Sequence, residues 1–355
     1  MCLGIVLAQS PLQIRVQASN GLGHDICELV IHHVVNVILT FNTRQSFVDN
    51  PPGWQTDPVN QPAPASRLAL WIAGARPRTL PAAIAPVAAG TGAAAFEDAV
   101  VWWKALLALG VSLALQIGVN YANDYSDGVK GTDDDRVGPL RLVGSGLVPA
   151  RQVKLAAFAF LGLGAGLGFA LAATTDWWLL LVGAAALVAA WTYTGGPIPY
   201  GYRALGEVSV FIFFGIVAVL GTAYVQVERI TAPAVAASVG VGALACAILV
   251  ANNLRDIPTD TVSGKKTLAV ILGDKGTRRF FSLLVLLAVV ALAVVAGWTL
   301  WAMLGLLFLP FAVRARQLVA RGAQGPDLIP VLQSIGVAEL VYAVGLAVGL
   351  TIGAA

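Results

Sequence analysis

From residue 68 onward the chain is a series of apolar runs about 20 residues long, separated by short polar gaps. An apolar helix of about 20 residues crosses the hydrocarbon core of a bilayer. The pattern predicts nine such spans, at roughly 78–96, 102–123, 153–174, 177–194, 205–225, 231–252, 279–298, 299–317 and 332–353. The seventh and eighth run together near Gly297-Trp298, so the number nine rests on dividing that block. Residues 1–65 follow a different pattern: mixed polarity, five prolines from Pro51 to Pro64, and no run long enough to span. They carry neither a basic start nor a small-residue cleavage site of a secretory signal. The expected organisation is a poorly ordered extension over 1–65, as an over-long reading frame would produce, and a transmembrane domain over 66–355.

Composition agrees. The 355 residues are 57% hydrophobic and 12% charged, with a mean hydropathy of +0.78. Soluble domains carry about 25% charged residues. The expected class is an all-α membrane protein. A net charge of +3 is too small and scattered to signal a nucleic-acid partner. Cys2, Cys27 and Cys246 share no disulfide or metal-ligand spacing, and His24, His32 and His33 form no zinc motif.

The cations assign an orientation. With the N-terminus inside, the outer turns carry only Lys104 and Arg229. The inner side takes Arg76, Arg78, Lys130, Arg136, Arg141, Arg151, Lys154, Arg203, Arg255 and Lys265 through Arg279, then Arg314, Arg316 and Arg321. This is the positive-inside asymmetry. Trp102-Trp103 and Trp177-Trp178 read as interface-belt aromatics. The 38 glycines and many alanines allow close helix approach, and a bundle around a central cavity.

Two acidic clusters break the apolar pattern. One runs Asn123-Asp124-Tyr125-Ser126-Asp127 and on to Asp133-Asp134-Asp135; the other is Asn252-Asn253-Leu254-Arg255-Asp256 with Asp260 beyond. Carboxylates at a membrane span mark a functional site by default. Four spans separate the clusters, so both fall on the same, cytoplasmic face. Asn123 and Asp127 are four apart, as are Asp256 and Asp260, and on a helix each pair shares one face. Three carboxylates and an amide are oxygen ligands that suit Mg²⁺. Interleaved cations (Lys130, Arg136, Arg141, Arg255, Lys265, Lys266) point to a metal–diphosphate complex, since a bare metal site needs none. A cation-coupled transporter is the alternative class, although transporter sites favour broken helices near the midplane. A lipid-linked transferase using a nucleotide-activated alcohol is a second one, although it would carry its acids in one short motif.

Asn123-Asp124-x-x-Asp127 with Asp133, paired with Asp256-x-x-x-Asp260, resembles the two aspartate-rich motifs of the UbiA superfamily of intramembrane prenyltransferases. The resemblance covers roughly 68–355. The superfamily's usual third acid would fall at Gly131, and Asp133 arrives two residues late. Further segments (Ala75–Leu80, Tyr193-Thr-Gly-Gly-Pro197, Tyr202–Glu207, Gly264-Lys-Lys-Thr-Leu268) are similar to the branch that prenylates 1,4-dihydroxy-2-naphthoate in menaquinone synthesis. The resemblance implies nine transmembrane helices around a central cavity in the plasma membrane. It implies Mg²⁺ on Asn123, Asp127, Asp256 and Asp260, and transfer from a polyprenyl diphosphate to an aromatic acceptor with loss of CO₂. Hydroxybenzoate, homogentisate or a phosphoribosyl donor are the alternatives within the superfamily. Lys130, Arg141 and Lys265 are then candidates for phosphate contacts, and Arg136 and Arg255 for the same or for orienting the acids. Asp124 or Asp133 would help deprotonate the acceptor, Arg78 would meet its carboxylate, and Tyr193 would shield the allylic cation.

Overall fold

The structure, a computed structural model, describes residues 66–131 and 140–354. The expected extension over 1–65 lies outside the described residues, as do Asp133, Asp134, Asp135 and Arg136. Among the described residues every element is helical, and the single β-type pairing is an isolated bridge between Arg203 and Lys266.

Ten helices follow in order. They are α1 Arg67–Ala75, α2 Pro81–Phe96, α3 Trp102–Lys130, α4 Ala150–Ala173 and α5 Leu179–Thr192. After them come α6 Gly206–Val227, α7 Ala232–Val262, α8 Leu268–Val295 and α9 Leu300–Ala320, and finally α10 Ile329–Ala354. Seven of these helical segments, the last taken as Gly325–Ala354, are long and apolar enough to cross a membrane. The eighth candidate is α1 with the 3-10 turn Pro77–Thr79 joined to α2, bent by 49°. At that bend Pro81 opens α2, where its missing N–H costs no hydrogen bond. The remaining apolar helix, α5, has 14 residues, about 21 Å of rise against a core of about 30 Å. Each expected span thus coincides with a helix, but α5 alone is too short to cross.

The helices also run past the expected spans. The span at 102–123 continues to Lys130, and the span at 231–252 to Val262. Both acidic pairs therefore sit on helix and not in the loops. Nothing in an apolar count can see this, because the last two turns of α3 and α7 are polar and rich in weak helix formers (Asn, Asp, Ser, Gly, Pro), so their helix rests on tertiary contacts and not on propensity. α3 ends at Gly131, whose left-handed φ of 69° lets its N–H reach the carbonyls of Asp127 and Gly128. α7 contains Pro258, between Asp256 and Asp260. Pro258 has no N–H, so the Leu254 carbonyl loses its helical donor there.

α7 and α10 form the interior of the bundle, lined by small residues such as Ala234, Ala237, Ala243, Ala338 and Ala343, all fully buried. A Cβ on Gly345 of α10 would stand 2.5 Å from the Leu304 carbonyl oxygen of α9, so only glycine permits that crossing. α6 carries a π-helical turn at Phe211–Val217, where Gly215 lies against Gly242 of α7. A second cluster, Tyr121, Ala122, Leu142, Val148, Val153 and Ala157, packs α3 against α4 and residues 142–148, with Trp71 and Trp191 at its edge.

Candidate active site

Lys265 links the end of α3 to the residues that follow α7. Lys265, just past α7, donates its backbone N–H to the Asp260 carbonyl at 2.9 Å. Its ammonium lies 3.9 Å from Asp127 Oδ1 on α3. The Arg141 guanidinium approaches Asp127 Oδ2 at 4.0 Å from the other side. The Tyr202 hydroxyl donates to Asp127 Oδ1 at 2.5 Å. Asp127, Asp256, Asp260 and Lys265 are all buried. A buried carboxylate needs this company, since an unpaired charge in a dry site is strongly unfavourable. The helix C-terminus adds partial negative charge at the same place, which favours the cations further.

The second cluster is internally braced. Arg255 donates from Nε to Asp256 Oδ1 at 2.7 Å and from Nη2 to Asp256 Oδ2 at 2.9 Å. The same Nη2 also reaches Asn252 Oδ1 at 2.8 Å. This fork fixes the Asp256 carboxylate in one orientation. Asn253 turns the other way and donates to Glu207 Oε1 at 2.9 Å. Glu207, buried just inside α6, is thus held by Asn253.

Other expected site residues lie close by but make different contacts. Asp124 is fully buried, and its two oxygens accept the backbone N–H groups of Leu142 and Val143, each at 2.9 Å. The sequence suggests it as a proton acceptor for the substrate; each of its oxygens accepts one backbone amide. Lys130 donates to the carbonyl oxygens of Thr194 at 2.6 Å and Gly196 at 3.3 Å. Thr194 donates in turn to Asn123 Oδ1 at 2.7 Å. Residues 193–205 are thereby pinned to the end of α3. Arg78 sits half-buried in the Pro77–Thr79 turn. That turn is tied to α3 by Asn120, which donates to the Ala75 carbonyl at 2.8 Å and to Thr79 Oγ1 at 2.9 Å.

Tyr193, expected to shield a cation, packs edge-on against Tyr200 with ring centroids 5.5 Å apart. The aromatic ring among the site cations is Tyr202, with Lys265 4.6 Å and Lys130 5.2 Å from its centroid. In the sequence Tyr202 and Thr194 stand only as members of two family-like segments, with no role attached. Their signal was the turn-rich segment Gly195-Gly-Pro-Ile-Pro199, which allows a tight return to the site. Tyr200 donates to the Ala189 carbonyl at 2.9 Å and pairs with Ser209 at 2.8 Å. Burial pushes its phenol above the usual value, against the opposing effect of Ser209.

Among the described residues no three His, Cys, Asp or Glu side chains gather closely enough to enclose an ion. The oxygen donors of Asn123, Asp127, Asp256 and Asp260 are of the type Mg²⁺ accepts when waters and substrate phosphate supply its other ligands.

Comparison with known proteins agrees with this geometry. Residues 83–327 match the model of the UbiA prenyltransferase family. The chain is 56% identical over 285 residues to the 1,4-dihydroxy-2-naphthoate octaprenyltransferase of Mycobacterium tuberculosis, covering 80% of this chain and 98% of that one. It is 38% identical to the enzyme of the same name from Escherichia coli, over 76% of this chain and 90% of that one. A solved UbiA homolog from Archaeoglobus fulgidus bound to DMAPP and Mg²⁺ shares the fold, with a TM-score of 0.57 at 17% identity, covering 77% of this chain and 98% of that chain. An all-helical bundle, a family model matched over most of its length and relatives of this identity together place the chain in one group: it belongs to the UbiA prenyltransferase family.

Proposed function

We propose that this prenyltransferase moves a polyprenyl group from its diphosphate to 1,4-dihydroxy-2-naphthoate, with loss of CO₂ from the acceptor. The observation that supports the reading is the reach of Lys265, just past α7, to Asp127 on α3. The similarity to naphthoate octaprenyltransferases supports the choice of acceptor.

Asn123, Asp127, Asp256 and Asp260 would hold Mg²⁺. When bound, the ion supplies Lewis acidity toward the departing diphosphate. Lys265 and Arg141, beside Asp127, bind diphosphate oxygens and stabilise the charge that builds as the allylic C–O bond breaks. Arg255 orients Asp256. Asp124 acts one step removed: by gripping the amides of Leu142 and Val143 it positions the neighbouring Arg141. Lys130 holds the 193–205 segment, and with it the Tyr202 ring. Arg78 meets the acceptor carboxylate from the α1–α2 bend. Burial of the site keeps water from the carbocation-like species.

The topology belongs to the same proposal: nine helical passes in the plasma membrane, the short α5 completing its pass only where the bilayer thins, with N-terminus and site on the cytoplasmic side. The two outer cations support it, since each is neutralised locally, Lys104 by Glu228 at 3.4 Å and Arg229 by Glu97.

The test is a product assay with the purified chain in liposomes, Mg²⁺ and farnesyl diphosphate. Dihydroxynaphthoate, hydroxybenzoate and homogentisate are offered in parallel. A decarboxylated prenyl product from dihydroxynaphthoate is expected, with CO₂ released in equal amount, lost on chelation and restored by Mg²⁺. Product from another acceptor alone would overturn the acceptor, and substrate uptake without product would favour transport.

A further inference from the structure

A groove of about 480 Å³ runs along the outer side of α8, remote in sequence from the acidic pairs. Arg279, Ser282, Leu283, Leu286 and Val289 of α8 line it, and Arg316 of α9 closes it from across. Arg278 precedes this lining on α8. Its guanidinium grips Asp274 through two bonds of 2.7 Å. It also donates to the Val319 carbonyl at 2.6 Å and the Ala323 carbonyl at 2.9 Å. It thus ties the start of α8 to the end of α9. Arg279 and Arg316 differ from it. Both are exposed, and among the described residues neither has an ion pair or a hydrogen bond. Below them Leu283 and Leu286 are each 57% exposed, on helices that span the membrane.

We propose that this groove seats one anionic phospholipid. Its phosphodiester lies between Arg279 and Arg316, and an acyl chain follows Leu283, Leu286 and Val289. The charge pattern selects the occupant. Two uncompensated guanidinium groups at the rim call for a phosphate, which arginine binds in a bidentate way. Basic recesses between spans near a membrane surface hold anionic headgroups for this reason. From Arg279 to Val289 the helix rises about 15 Å, the depth of one leaflet. A zwitterionic lipid brings its own cation to the same rim. A second copy of the chain docked by two-fold symmetry would set arginine against arginine.

The test is native mass spectrometry of the full chain, purified in detergent and titrated with dioleoylphosphatidylglycerol or dioleoylphosphatidylcholine. The first phosphatidylglycerol should bind on the order of 10- to 30-fold more tightly than phosphatidylcholine. Arg279→Ala with Arg316→Ala should abolish that preference, Arg279→Lys with Arg316→Lys should keep most of it, and Arg314→Ala, outside the groove, should change nothing. Equal affinity of the two lipids for the unaltered chain would overturn the proposal, a result that needs no variant to fold. So would an undiminished preference in the double alanine variant, or dimer formation in place of lipid binding.

Discussion

The Asp127 carboxylate is held by groups from three separate parts of the chain: Arg141, Tyr202 and Lys265. Such a constellation gives separable effects. Asp127→Ala or Asp256→Ala should abolish turnover while leaving a folded, membrane-inserted protein; wild-type-like activity in membranes with saturating Mg²⁺ would remove the metal assignment. Tyr202→Phe removes one hydrogen bond to Asp127 and keeps the ring beneath the cations. A fall of about 10- to 100-fold in kcat, with little change in thermal midpoint, is expected. Asp124 and Arg141 form a natural cycle. Asp124→Asn should raise the KM for prenyl diphosphate as Arg141→Ala does, and the double variant should be little worse than Arg141→Ala. A catalytic base at Asp124 would instead lower kcat and shift its pH profile. The i,i+4 spacing of the acids was legible in the sequence, because helix periodicity alone puts such pairs on one face. The grip of Asp124 on Leu142 and Val143 was not, since it joins residues across a turn whose path no local pattern fixes.

At the level of elements, the polar extensions of α3 and α7 matter more than the spans themselves. They project the acids one to two turns past the apolar runs, so the last turns of α3 must fit beneath the segment around residue 143. Gly128 permits this: a Cβ there would stand 2.6 Å from a Val143 side-chain carbon and 3.1 Å from the Gly144 nitrogen. Gly128→Val should therefore displace that segment, lowering the thermal midpoint and cutting kcat/KM at least about tenfold, measured on the reconstituted protein. Gly345→Leu should act on stability alone by forcing α10 from the Leu304 carbonyl. Apolar run lengths located each span. They could not place the ends of α3, α7 and α8, because helix continues wherever backbone bonds and packing allow, whatever the polarity.

For the whole molecule, basic residues gather at the ends of the helices that carry the site. Exposed tryptophans (Trp102, Trp103, Trp177, Trp178, Trp298 and Trp301) mark the opposite ends. This arrangement predicts a labelling pattern. With the native cysteines removed, a single cysteine at Lys275 should react with an impermeant maleimide only after cells are opened, and one at Asp98 should react in intact cells. The reverse pattern would invert the topology. Charge asymmetry is what makes an orientation readable from sequence, whereas the contact of Lys265 with Asp127 depends on tertiary packing between segments far apart in the chain.

The short helix α5, which has no buried residue of its own, gives the bilayer itself a part in activity. Lipid must thin around a segment about 9 Å shorter than the hydrocarbon core, and that deformation bears on residues 193–205, which carry Tyr202. Reconstitution into dimyristoyl lipid should relax the mismatch and raise turnover. Dierucoyl lipid should stretch the same segment away from α3 and slow the enzyme without unfolding it.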